Sequence, residues 1–170
     1  MKLILISGLA DIDKPALIDL ALQRAGRKNE FRVVDFDRIY GNPSEIAEAE
    51  DIGAARQSLS RLYEKAEKAM ITRLKEQKGD LVASGCLTFD TAFGYMRAMP
   101  DEFFKSFNPD LIFIIEKDEG KDPKTMEHQR MNRYYGAICS SIAGSALKII
   151  KFRENKTVEA VGELSEILKR

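Results

Sequence analysis

The chain has 170 residues, 44% of them hydrophobic, and its 27 Lys and Arg balance 27 Asp and Glu to a formal net charge of zero. That length supports one well-buried core, and the lack of a basic field or of a Lys/Arg run with interleaved aromatics argues against nucleic acid as a partner. No apolar run reaches the ~18 residues of a membrane span, and residues 1–7 read as a short strand entering a turn, not a leader, so no membrane partner and a cytoplasmic protein are expected.

The first strand is predicted at 3–7, and an amphipathic helix at 15–24 follows a short turn. A second strand at 32–36 precedes a charged helical region at 44–51 and 54–77. The third strand is predicted at 81–84, and apolar residues at helical spacing over 89–107 predict a helix broken at Pro100. Strands at 111–116 and 147–152 flank a helix at 125–143, and a closing helix is predicted at 157–169. The strands are short and mostly continuously apolar, the pattern of strands covered on both faces. Alternation with helices predicts an α/β fold, three layers around a parallel five-stranded sheet with right-handed crossovers. Ligands of such sheets bind beyond the carboxyl ends of the strands. The segments 8–14, 35–38, 84–88, 116–121 and 152–155 all follow strands and share that edge. The polar segment 117–122 (KDEGKD) is the candidate mobile loop.

The first turn has the layout of a phosphate-binding loop, G-x-x-x-x-G-K-[ST] between strand and helix. Gly8 and Lys14 hold the first glycine and the lysine, but Asp13 replaces the second glycine and Pro15 the hydroxyl residue. Asp13 can adopt the left-handed turn angles, yet its carboxylate and that of Asp11 oppose a triphosphate. Two like charges at ~4 Å repel by roughly 1 kcal/mol in water and ~4 kcal/mol at an effective dielectric of 20. Pro15 removes one N–H and the hydroxyl that would hold Mg²⁺, and disfavours helical angles at Lys14. Asp-x-Asp-Lys-Pro is also an ordinary helix start, with proline in the first turn and acids near the positive dipole end. A plain strand–turn–helix, a working phosphate loop and a weakened anion site all fit these residues.

The segment Glu127-His128-Gln129-Arg130-Met131-Asn132-Arg133, followed by a small-residue helix, the strand ALKIIKFRE and a tail with Ala160-Val161 and Glu163-Leu164, resembles the C-terminal third of the archaeal-type adenylate kinases, with their EHQxMNR, KIIK and AVEEL segments. Upstream, Asn108-Pro109-Asp110 and the strand to Glu116 are similar to that family's NPD-strand-E, and Gly94-Tyr95 with Pro100 to its GYLPGLP stretch. Gly8 falls where its GVPGVGGTT loop begins. The resemblance implies one adenylate-kinase-like domain over 1–170 with a P-loop nucleoside-triphosphate hydrolase/nucleotide kinase-like fold. It implies a nucleotide or phosphate as small-molecule partner, ATP or ADP with Mg²⁺ as cofactor, and a homo-oligomer. Site candidates are Gly8, Asp13, Lys14, Pro15, Arg130, Arg133 and Arg153 for nucleotide or phosphate, with Lys14 and Arg133 as the catalytic candidates and no metal ligands.

The chain departs from the family where chemistry is done. The family's acid after the third strand falls on Ser84, and its Thr-His on Gly85 and Cys86. The lid between the fourth strand and EHQxMNR shrinks to 117–126 and carries no Arg, and the Arg-rich AMP segment has no counterpart in 40–56. Phosphoryl transfer works by positioning and charge neutralisation, so the expected function is nucleotide or phosphate binding with weak or no phosphotransfer. An active ATP:AMP phosphotransferase with an altered loop and a non-catalytic interaction subunit are the alternatives.

Among other residues, Arg133 reads either as a phosphate contact or as a structural Arg paired with an acid of a neighbouring helix, and His128 as a structural histidine. Asp35 and Asp37 flank Phe36 after the second strand, beside Arg38, and read as no clean carboxylate pair. Ser84-Gly85-Cys86 is no nucleophile elbow. Phe89, Phe93, Tyr95, Phe103, Phe104 and Phe107 read as core or oligomer contacts. Cys86 and Cys139 form no C-x-x-C and read as buried free thiols.

Overall fold

A computed structural model describes residues 1–41, 44–75, 79–118 and 122–169, without the side chains of Ser44 and Glu154. In chain order the elements are β1 (Leu3–Ser7), α1 (Lys14–Ala25), β2 (Phe31–Asp35), α2 (Phe36–Tyr40), α3 (Ser44–Ala47), α4 (Ile52–Lys75) and β3 (Asp80–Gly85). There follow β4 (Thr88–Thr91), β5 (Gly94–Arg97), α5 (Asp101–Phe107), β6 (Leu111–Lys117), α6 (Pro123–Ala143), β7 (Ala146–Phe152) and α7 (Thr157–Leu168).

Every residue of β1 is buried, because this strand lies at the centre of a parallel sheet ordered β2-β3-β1-β6-β7. Its alternating side chains divide the core in two. Leu3 and Leu5 join Leu81, Ala83, Ile112 and Ile114 under α2, α4, α5 and α6. Ile4 and Ile6 join Val82, Phe113 and Ile115 under α1 and α7. The β6–α6 contact is close: a Cβ at Gly136 would lie 2.2 Å from Ile114 Cδ1. The β1–β3 and β1–β6 registers place Ser7 beside Gly85 and Ile114. The carboxyl ends of the three central strands therefore meet where the chain turns at Gly8.

The helix expected over 89–107 is corrected. The strands β4 and β5 form an antiparallel hairpin, and only α5, after Pro100, is helical. The turn is closed by Thr91, whose hydroxyl donates to Gly94 O (2.7 Å) and accepts from Phe93 N (3.1 Å). Gly94 has φ +96°, a conformation suited to glycine. Phe89 is buried edge-on against Tyr40, with ring centroids 5.7 Å apart. Of the candidate mobile loop, residues 119–121 lie outside the described residues. Among the described residues no helix is long and apolar enough to cross a membrane.

Candidate nucleotide site

Gly8 approaches the neighbouring strand so closely that a Cβ there would sit 3.0 Å from Ile115 O. From this point the loop turns back on itself. Ile12 N donates to Leu9 O (3.1 Å) and Lys14 N to Ile12 O (2.8 Å), and the Ile12 side chain is buried in the α1-side core. Asp13 has φ −72°, so it does not use the left-handed angles open to it. It instead caps α1: Ala16 N donates to its Oδ1 (3.1 Å) and Leu17 N to its backbone oxygen (3.2 Å). Pro15 has no N–H. The backbone donors at the start of α1, which would otherwise attract an anion, are thus satisfied by the chain itself.

Lys14 is fully buried. Its Nζ donates to Leu9 O (2.8 Å), Gly8 O (3.0 Å) and Ile12 O (3.5 Å), and pairs with Asp37 Oδ2 at 2.8 Å. Asp37 also accepts from Cys86 N (2.9 Å), so it ties the end of β2 both to the loop and to the end of β3. Burial, aided by Asp37, pushes the Cys86 thiol up to about 12; it stays protonated and donates to Gly8 O at 3.2 Å. Cys139 is likewise a buried free thiol. Asp35 accepts from Arg38 N (3.2 Å) at the start of α2. Ser84, where the resemblance puts an acid, is buried with its hydroxyl unpartnered among the described residues.

The 127–133 segment forms about two turns of α6. His128 Nε2 lies 3.0 Å from Thr88 O. Gln129 accepts from Lys117 N (2.6 Å) and donates to Lys117 O (3.2 Å). Asn132, buried, accepts from Leu87 N (3.0 Å) and donates to Ser7 Oγ (3.1 Å). Arg133 grips Glu116 with two nitrogens, Nε at 2.6 Å from Oε1, and Lys151 Nζ reaches Glu116 Oε2 at 2.8 Å. Burial alone would raise the Glu116 carboxyl, but the hydrogen bonds from Arg133 and Lys151 outweigh it and hold its pKa below the usual range. The acid that pairs with Arg133 therefore comes from a strand, not from a neighbouring helix. Arg130 is exposed and has no ion pair or hydrogen bond among the described residues. Arg153 pairs with Asp118 beyond the ends of β6 and β7.

Beside the loop lies a cavity of about 380 Å³, a size that suits a small ligand. Leu9, Ala10, Tyr40, Ala47 and Phe89 give it apolar walls, and Asp11, Asp37, Asp90, Thr88, Thr125 and His128 add polar groups. Neither Asp37 nor Glu116 stood out in the sequence as a partner for Lys14 or Arg133. The available signal was positional: Glu116 is an acid at the carboxyl end of a parallel strand, and Asp37 follows another by two residues.

Mg²⁺ and a triphosphate do not fit the residues present at the loop. Pro15 supplies no hydroxyl, and Lys14 and the first donors of α1 are engaged internally. Among the described residues no group of three His, Cys, Asp or Glu is placed to hold a metal ion.

The five parallel strands, the flanking helices and the Gly8–Lys14 turn leaving the central strand make a nucleotide-kinase-like α/β fold of the P-loop class. No family model matches the chain. It is similar along nearly its whole length to adenylate kinases of archaea. The adenylate kinase of Thermoplasma volcanium is 25% identical over 185 residues, covering 96% of this chain and 98% of that protein. Those of Pyrococcus furiosus (28% over 192 residues, 97% and 94%) and Methanocaldococcus jannaschii (26% over 193 residues, 99% and 98%) match to a similar extent. Over this length the chain is adenylate-kinase-like, with its similarity to the archaeal-type enzymes at 25–28% identity.

Proposed function

We propose that the chain is an adenylate-kinase-like nucleotide-binding protein of the cytoplasm with weak or absent phosphotransferase activity. One observation carries this reading: the lysine that should meet the phosphates lies buried against Asp37 and the loop carbonyls. A phosphoryl-transfer site depends on charges aimed at the transferring group, and at this loop they are aimed inward. The cavity between the loop, α2 and the β4–β5 hairpin supports a retained place for the nucleoside part of a ligand. Lys14 then serves the loop's own structure, together with Gly8, Asp13 and Pro15. Arg130, Arg133 and Arg153 do not line that cavity, so a phosphate would meet them only outside it, with Arg133 drawn from Glu116 and Arg153 from Asp118.

A coupled assay with ATP, AMP and Mg²⁺ tests the catalytic part. Removing one preorganised electrostatic group costs about 10²–10³ in rate. With several lost, turnover is expected at least about 3 orders of magnitude below that of an intact adenylate kinase. Ordinary kinase turnover, on the order of 1–100 s⁻¹, would overturn the reading. Calorimetric titration with AMP, ADP and ATP, with and without Mg²⁺, tests the binding part.

A further inference from the structure

We infer that the cavity beside residues 8–14 selects the unphosphorylated nucleoside, so that affinity falls with each phosphate added; this rests on the nucleotide-binding reading above. The cavity is a shaped, mainly apolar space with the aromatic rings of Tyr40 and Phe89 in its walls. Such walls suit a flat heterocycle. Its charged lining is of one sign. Asp11 from the loop, Asp37 from α2 and Asp90 from β4 face it, and among the described residues no Lys or Arg lines it. Carboxylates accept hydrogen bonds from amine and hydroxyl donors, the groups carried by a nucleobase and a ribose, and repel phosphate oxygens.

Each of these acids is already paired with a lysine. Lys14 meets Asp37, Lys117 meets Asp11 and Lys124 meets Asp90, all at 2.8 Å. Lys14 is buried beneath the loop, and Lys117 is largely covered. Lys124 stands on the rim with its side chain 70% exposed. A neutral ligand leaves all three pairs intact. A phosphate must either break one of them or sit against the carboxylates with no free cation among the described lining residues. AMP and adenosine differ by that one group, so their affinity ratio reads the effect directly.

Isothermal titration of the full chain with adenosine, AMP, ATP and inorganic phosphate is the first test. Adenosine is expected to bind most tightly, AMP about 10-fold more weakly, a difference of about 1.4 kcal/mol, and ATP more weakly again. AMP binding as tightly as adenosine or tighter overturns this inference and leaves the nucleotide-binding reading standing. No saturable binding of adenosine or of any nucleotide overturns that reading, and the inference with it. Two variants probe the cause. Asp37→Asn leaves the charge of Lys14 without its carboxylate, and Asp90→Asn releases Lys124 at the rim; each should narrow the adenosine-to-AMP ratio several-fold. Because Asp90 pairs with an exposed lysine, the second variant tests the idea even if Asp37→Asn fails to fold. An unchanged ratio in Asp90→Asn overturns the electrostatic account.

Discussion

The loop at residues 8–14 and the α6 segment at residues 127–133 sit on the same edge of the sheet, and each carries a cation expected to meet phosphate. In the loop, the motif is half lost in sequence and the surviving Lys14 is fully buried, with three carbonyls and Asp37 around it. In α6, the motif is intact, and Arg133 keeps its side chain 40% exposed over the buried Glu116. The difference is one of access. Lys14 can reach an anion only by vacating its whole coordination shell. Arg133 can lean toward one while Lys151 continues to hold Glu116. A residue retained from a motif thus need not retain its role, and burial decides which it is.

The largest effect that tests this contrast is on stability. Lys14→Ala is expected to destabilise the fold by about 3 kcal/mol or more, since breaking a buried ion pair costs about 3–5 kcal/mol and the Gly8 and Leu9 carbonyls lose their donor as well. Urea denaturation measures it. A loss below about 1 kcal/mol would mean that the lysine is free to move, and the contrast with Arg133 would disappear.

Arg133→Ala should cost less, roughly 1–2 kcal/mol, because Lys151 still serves the Glu116 carboxylate. Its signature is the pH dependence. The Glu116 pKa is lowered from 4.5 in the folded chain, so the stability it contributes is complete above about 4.5 and is lost as pH falls through the folded-state value. Arg133→Ala should shift acid unfolding to higher pH, and Glu116→Gln should flatten the acid limb of the stability profile. Denaturant midpoints measured between pH 3 and 7 would show both. An acid limb unchanged by Glu116→Gln would remove Glu116 from the account.

The strands were legible in the sequence to within about a residue at each end, because continuous apolar runs between turn residues leave little alternative to a covered parallel sheet. The β4–β5 hairpin was not. Phe89, Phe93 and Phe103 fall at plausible helical spacing, and what overrides it is tertiary: Phe89 packs on Tyr40 while Phe93 stands 43% exposed at the turn. The alternation of Thr88-Phe89-Asp90-Thr91 before Gly94 was the sequence signal for a hairpin. At the site, Gly8, Lys14 and Arg133 could be picked out from spacing and resemblance. Their partners could not, because Asp37 and Glu116 reach them through strand order and not through sequence distance.

The smallest expected effect concerns whether the loop keeps any phosphate geometry. Asp13→Gly with Pro15→Thr removes a carboxylate, frees Ala16 N from its cap and restores an N–H and a hydroxyl. Glycine is itself an acceptable N-cap, so the loss to α1 is only a few tenths of a kcal/mol. Lys14 remains on Asp37 in this variant, so the strongest cation still does not reach the ligand. Mg-ATP binding should therefore tighten by only about 1 kcal/mol, roughly 5-fold, without ordinary turnover. Titration calorimetry of the double variant beside the unaltered chain measures this. No gain would make residues 8–14 a plain strand–turn–helix connection. A gain of about 4 kcal/mol would show that Lys14 leaves Asp37 once the loop can open, and the burial of the lysine would then be a closed state of a phosphate loop.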